Sequence, residues 1–324
     1  MGLRVWDDPT IRTVEFPLTE DQLLPLDPRC SRVQFLIYSF SSLPTEADLV
    51  RLSDFLSAYP KVALRVVAHT EITDLDFLQH FPFLESFDFE LYGLKNLDGL
   101  RYLPENLRFL FVGQTKGRFS LKFLTRFPQL ETLFVEGHSK DFEAVGTLKG
   151  LRDLTLRSIT VPSLEPLTGL SELWSLDIKL GGTKNLEALH RLPNLKYLEL
   201  WMIRGLNDLD PIADVIGLQY LFLKDLARVT RLPAMRKLNQ LRRVDLVGLR
   251  ALRDLSPLME ASSLEELHVY EAGQMQPEDF AVLRGHPALQ RFSGGAGSLR
   301  KTREIKQMLG LPQATRGKGD FDFR

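Results

Sequence analysis

The sequence predicts an α/β solenoid: a horseshoe with a parallel sheet on its concave side, short 3₁₀ or helical return arms, and a cap at each end. Three observations predict it. A segment of the form Leu-x-x-Leu-x-Leu recurs about every 22 residues. A second apolar series with spacing three follows each segment, and the period fades toward both ends.

The recurring segments are Leu84-Phe87-Phe89, Leu107-Leu110-Val112, Leu130-Leu133-Val135, Leu151-Leu154-Leu156 and Leu173-Leu176-Ile178. Leu195-Leu198-Leu200, Leu218-Leu221-Leu223, Leu241-Val244-Leu246 and Leu264-Leu267-Val269 continue the series. The last two apolar positions, two residues apart, have the strand period. The second series, such as Leu164, Leu167 and Leu170, has the spacing of a 3₁₀ turn with one buried face. A single strand-and-turn unit cannot cover both of its apolar sides, so the units must stack.

Toward the N-terminus, Val33–Tyr38 and Val62–Val67 read as degenerate strands. Between them Thr45–Ala58, with Leu49, Leu52, Phe55 and Leu56, reads as an amphipathic helix bounded by Pro44 and Pro60. Residues 1–60 are therefore expected to form a cap, 61–292 the repeats, and 293–324 a C-terminal cap. In that last part Leu289 and Phe292 begin a partial unit, Gly294-Gly295-Ala296-Gly297 breaks it, and Ser298–Leu309 reads as a helix. Residues 312–324 are rich in glycine and charge, which predicts a mobile tail.

Lys plus Arg total 41 against 42 for Asp plus Glu, so a net charge of -1 offers no general attraction to phosphate backbones or anionic lipid. No run approaches the apolar length of a spanning helix. The start, Met1 to Asp8, shows no basic segment followed by an apolar run, and Trp6 stands where a myristoylation signal requires Ser or Thr. The lone Cys30 cannot form an internal disulfide. These features predict a monomeric cytoplasmic protein with no membrane or nucleic-acid partner and no cofactor.

The return arms Ser163-Leu164-Glu165-Pro166-Leu167, Asp208-Leu209-Asp210-Pro211-Ile212 and Asp254-Leu255-Ser256-Pro257-Leu258 resemble those of short-period leucine-rich repeats. That subclass includes the bacterial internalins and the nuclear regulatory subunit of protein phosphatase-1. The resemblance covers about residues 60–290 and implies a scaffold that binds other proteins; it names no partner. The sequence departs from the pattern at the ninth position, where the family's coil-bridging Asn is replaced by Tyr92, Thr115, His138, Ile159, Gly181, Ile203, Leu226, Leu249 and Ala272.

With the first, fourth and sixth residues of each segment facing the core, the third, fifth and seventh face outward on the strand side. Two aromatic clusters then emerge: Phe109, Phe111 and Phe134, and Tyr197, Trp201, Tyr220 and Phe222. Aromatic patches concentrate interface energy, so the second cluster, flanked by Glu199 and Lys224, is the expected partner site and the first is the next patch. Rings that merely stack on one another, or that a cap covers, are the bland alternative.

Chemistry is sparse. His138 and His268 fall six repeats apart, too far to share a metal. Asp245, His268 and Ser293 occupy fifth positions in the order acid, base, hydroxyl, the logic of acyl-transfer hydrolases. An open sheet supplies no oxyanion donors, which weighs for binding and against catalysis. A third reading is an adaptor docking through the basic helix residues Arg300, Lys301, Arg303 and Lys306 or through Phe321-Asp322-Phe323.

Overall fold

Wherever the repeat recurs its fourth and sixth residues are apolar and two positions apart, and a strand forms at each. The computed structural model describes residues 8–38, 41–315 and 317–324 and contains thirteen strands. Its contacts divide the chain into two units, one ending at Leu151 and one beginning at Arg152. The readings made for residues 1–7 lie outside the described residues.

In the first unit, β1 (Ile11–Val14), β2 (Arg32–Ile37), β3 (Ala63–Ala68), β4 (Ser86–Leu91), β5 (Phe109–Val112) and β6 (Thr132–Glu136) pair in parallel, each with the next. Sequence patterning singles out all but β1. Helix α1 (Glu46–Ser57) takes the place of a return arm between β2 and β3. It starts where expected because Thr45 and Asp48 form a reciprocal capping box. The other oxygen of Asp48 accepts the Leu18 N–H at 2.9 Å, which ties the helix to the preceding loop. Leu49, Leu52 and Leu56 are its buried stripe.

The second unit contains β7 (Asp153–Arg157), β8 (Ser175–Lys179), β9 (Tyr197–Trp201), β10 (Tyr220–Lys224), β11 (Arg243–Val247), β12 (Glu266–Tyr270) and β13 (Arg291–Gly294). All six neighbouring pairs are parallel and in register, so residues of equal repeat position form columns. Except between β10 and β11, each return arm contains a 3₁₀ turn, several with Pro near the start, where its missing N–H is not needed. Helix α2 (Leu299–Leu309) follows β13, capped by the Ser298 hydroxyl and closed by Gly310 in the left-handed region.

The missing Asn is replaced differently in the two units. In the second, the eighth residues Ser158, Leu180, Met202, Asp225, Gly248 and Glu271 all have positive φ, between 51° and 66°. This turns the N–H of Ser158, Leu180, Met202, Asp225 and Gly248 onto the seventh-position carbonyl of the next coil, at 2.8–3.0 Å. The ninth residues are then free to be apolar, and Ile159, Ile203, Leu226, Leu249 and Ala272 are buried. Gly181 is the exception because a Cβ there would lie 1.9 Å from the Ile159 carbonyl oxygen.

In the first unit the buried His138 does the bridging. Its Nδ1 accepts the Phe119 N–H at 3.0 Å, and its Nε2 faces the Gly113 carbonyl at 3.3 Å. Burial holds the imidazole below the ordinary histidine pKa, with the Gly113 carbonyl opposing. Unfolded chains take up this proton from about pH 6.5 downward, while the folded chain does so only at lower pH. The contribution is therefore present above about pH 6.5 and is lost as pH falls through the folded value. His138→Ala should cost about 2 kcal/mol at pH 7.5 by leaving two buried backbone groups unpaired. His138→Asn, which keeps a donor and an acceptor, should cost less and should flatten the fall in urea-unfolding free energy between pH 7.5 and 5. Identical pH slopes for parent and His138→Asn would show that this ring is not the titrating group.

Candidate functional site

On the outward face of the second unit the third-position column reads Asp153, Ser175, Tyr197, Tyr220, Arg243 and Glu266. The fifth reads Thr155, Asp177, Glu199, Phe222, Asp245, His268 and Ser293, and the seventh Arg157, Lys179, Trp201, Lys224, Val247 and Tyr270. The expected partner residues thus do converge on two adjacent strands, but they do not share one environment. Tyr197 and Tyr220 are buried, 2% and 1% exposed, whereas Glu199, Trp201, Phe222 and Lys224 are half-buried.

What buries the tyrosines is the stretch formed by residues 311–315 and 317–324, although composition predicts mobility for residues 312–324. It lies across the strands from β13 back to β8. The Pro312 carbonyl accepts the Phe292 N–H at 2.9 Å, and the Ala314 N–H donates to the Ser293 hydroxyl at 3.0 Å. Thr315 donates to Glu266 at 2.9 Å, and Arg243 reaches the Gly317 carbonyl at 3.2 Å. Lys318 then places its ammonium 3.7 Å from the centre of the Tyr197 ring and 2.7 Å from the Ser175 hydroxyl. Phe321 packs against Tyr220 at 5.3 Å, and Phe323 against Trp174 at 5.0 Å. Lys196 and Gln219 close the path on Arg324.

The polar groups below are coupled through this cover. Burial raises the Tyr197 and Tyr220 phenol pKa values, reinforced by neighbouring carboxylates, so both remain donors: Tyr197 to Glu199 at 2.9 Å and Tyr220 to Asp245 at 2.7 Å. Lys179 bridges Asp177 and Glu199 at 3.1 and 3.2 Å; burial works against its charge and the two carboxylates outweigh it. That pair of acids thus already holds one lysine between them, which offsets part of their charge. Among the described residues, no cluster of three or more His, Cys, Asp or Glu side chains is placed to hold a metal ion.

Asp245, His268 and Ser293 do stand in register on adjacent strands. Their surroundings are structural. Asp245 takes the Tyr220 hydroxyl on one oxygen and the Arg243 guanidinium, at 3.0 Å, on the other, while the Ser293 oxygen accepts a backbone N–H from the covering segment. All three side chains are buried.

The seventh-position column stays uncovered. Trp201 donates its indole N–H to Asp225 at 3.1 Å, and the Lys224 ammonium sits 4.7 Å from its ring centre. Tyr270 is exposed at the end of the same column. In the first unit Phe109, Phe111 and Phe134 are half-buried; Phe111 and Phe134 stack at 4.0 Å with 11° between their planes, and Arg65 lies 5.8 Å above Phe111. Beside them Arg65 pairs with Asp88 at 2.7 Å and with Glu90. Burial raises the Asp88 pKa against the pull of Arg65.

Of the residues expected for an adaptor, Arg300 pairs with Glu304 one turn away and Lys301 donates to the Met275 carbonyl at 3.1 Å. Phe321 and Phe323 are engaged within the second unit. Column reading does not reach Trp174, Lys196, Gln219 and Arg242, which precede their strands by one residue and line the margin holding the segment. The signal for them lies in the tail, whose spacing of Lys318, Phe321 and Phe323 pairs a cation and two rings with an acidic, aromatic face.

No protein-family model matches the chain, and no curated protein does. Solved structures do. The chain is similar to TLR13 in its complex with ssRNA13, at 16% identity and TM-score 0.58 over 88% of this chain and 47% of that one. It is similar to a leucine-rich-repeat protein of Leptospira interrogans, at 15% identity and TM-score 0.50 over 88% and 89%. An internalin of Listeria monocytogenes, inlF, matches at 17% identity and TM-score 0.48 over 79% and 87%. The chain has the leucine-rich-repeat fold, a mixed α/β architecture of parallel strands and short 3₁₀ turns.

Arg243, 1% exposed, is held by Asp245 and Glu266 at 3.0 and 3.6 Å. Removing a buried cation strands its carboxylates, at a cost of about 3–5 kcal/mol. Arg243→Met should therefore destabilise the protein by about that much, despite its better match to an apolar site. A melting temperature within two degrees or so of the parent would mean that this ion cluster is not buried in solution.

Proposed function

We propose that the chain is a non-enzymatic protein-binding module that receives its partner on the uncovered part of the strand face. The observation that carries this reading is the half-open aromatic pair Trp201 and Phe222, on adjacent strands and bordered by Glu199 and Lys224. Large rings with an apolar body and one polar handle anchor interfaces, and a charged border sets partner choice and encounter rate. Tyr197 and Tyr220, buried on the same two strands, lie outside this open pair. The stacked Phe111 and Phe134, with Phe109, form the second patch for the same kind of contact.

The fold supports protein binding as a class, and no helix among the described residues is long and apolar enough to cross a membrane. The lone Cys30 suits a reducing, cytoplasmic setting. TLR13 is seen with a single-stranded RNA, so RNA belongs among the probes, although a net charge of -1 argues against it.

Replacing Trp201 and Phe222 together by Ala should weaken partner binding by about 2 kcal/mol, about thirtyfold, while leaving the buried Leu198, Leu200, Leu221 and Leu223 in place. The measurement is quantitative retention of partners from the native organism by parent and variant, followed by calorimetry on the purified partner, with thermal melts alongside. Equal affinity moves the site to Phe109, Phe111 and Phe134. Preferential binding of single-stranded RNA over any protein would overturn the reading.

Catalysis makes a separate expectation. A screen of ester, peptide and phosphate substrates should find no turnover that His268→Ala abolishes. Such turnover, with folding retained, would displace the binding module in favour of a hydrolase using Asp245, His268 and Ser293.

A further inference from the structure

Residues 311–315 and 317–324 are held by two kinds of contact. One reads side chains. The Lys318 ammonium sits over Tyr197 and lies 4.0 Å from Asp177, while the Phe321 and Phe323 rings fill the space beside Tyr220 and Trp174. The other reads main chain. Gln219 bonds both the N–H and the carbonyl of Arg324, at 2.9 and 2.5 Å, and Arg242 donates to the Asp322 carbonyl at 2.7 Å while its guanidinium lies 5.1 Å from the Phe321 ring centre.

Contacts of the second kind hold any peptide of the right shape, and those of the first select its residues. Asp153, Asp177 and Glu199 make the floor negative where Lys318 enters, and burial of that ammonium lowers its pKa against their pull. The core leucines of β8 to β10 face the other side of the sheet, so the groove does not depend on the segment for its shape.

We propose that this half of the second unit's strand face is a peptide-binding groove for the pattern Lys-x-x-Phe-x-Phe, filled here in cis by residues 318–323 in place of a protein partner bearing that pattern. The proposal deepens the reading of the strand face as a protein-binding surface and rests on it. It gives the face two compartments: an aromatic pair that is open, and a groove opened only when the chain's own segment leaves. A tethered occupant acts at an effective concentration of about millimolar, so a partner must exceed that or the segment must first be weakened.

The test uses the full chain carrying Phe321→Ala and Phe323→Ala. The probe is a fluorescent synthetic peptide with the sequence of residues 311–324, and the control is the same peptide with both Phe replaced by Ala. The variant should bind the probe at least about tenfold more tightly than the parent does, because its groove is no longer blocked. Unlabelled probe should also raise the variant's melting temperature, and the control peptide should do neither. Phe323→Ala alone carries the test if the double variant loses its cooperative melt.

The groove is overturned if the variant does not bind the probe, if parent and variant bind it equally, or if the control binds as well as the probe. Failure here with Trp201- and Phe222-dependent partner binding intact removes the groove alone. Success here with no effect of Trp201 and Phe222 removes the open pair as the site and keeps the groove.

Discussion

Five coils of the second unit, those of β7 to β11, leave their strands through a residue whose N–H has no acceptor in its own coil, and the stack there depends on where that N–H goes. It goes forward, to the strand carbonyl of the next coil. Holding a non-glycine residue in the left-handed region costs roughly 1–2 kcal/mol, and an unpaired buried N–H costs about the same or more. The bond and the conformation are thus close to balanced. The gain comes from the position that follows, which no longer has to bridge coils with an amide and can bury Ile159, Ile203, Leu226 or Leu249 instead.

Because these bonds keep the coils in register, side chains of equal repeat position stand in columns about 4.8 Å apart. At that spacing a face rich in Asp, Glu, Tyr and Arg must neutralise itself from column to column. Lys179 between Asp177 and Glu199, and Arg243 between Asp245 and Glu266, do so in part, one cation to two carboxylates, and the floor stays acidic where Lys318 enters. Buried pairs of this kind add little net stability against an apolar alternative. What they supply is direction: the remaining guanidinium and carboxylate valences of Arg243 and Glu266 point at Gly317 and Thr315 and so guide the covering segment.

The face is consequently asymmetric. Its third-position column lies under residues 311–315 and 317–324, while its seventh-position column presents Trp201, Lys224 and Tyr270. The same division explains why an acid, a base and a hydroxyl in register need not be catalytic. Asp245 is engaged by Tyr220 and Arg243 within the strand face, and the Ser293 oxygen accepts the Ala314 N–H of the cover.

The repeat, the strand register, helices α1 and α2 and the grouping of aromatic residues are legible in the sequence, because each follows from local periodicity or from a cap within a few residues. Thr45 with Asp48, and the column Tyr197 over Tyr220, are of that kind. The environment of those columns was decided only in the tertiary structure. Whether Tyr220 faces water or Phe321 depends on a contact between residues about a hundred positions apart, and no period of 22 residues encodes it. Composition marks residues 312–324 as too polar and glycine-rich to fold alone, and alone they would not. Across an acidic, aromatic face, one lysine and two phenylalanines find the partners that the segment itself lacks, so its path is set by the surface it meets.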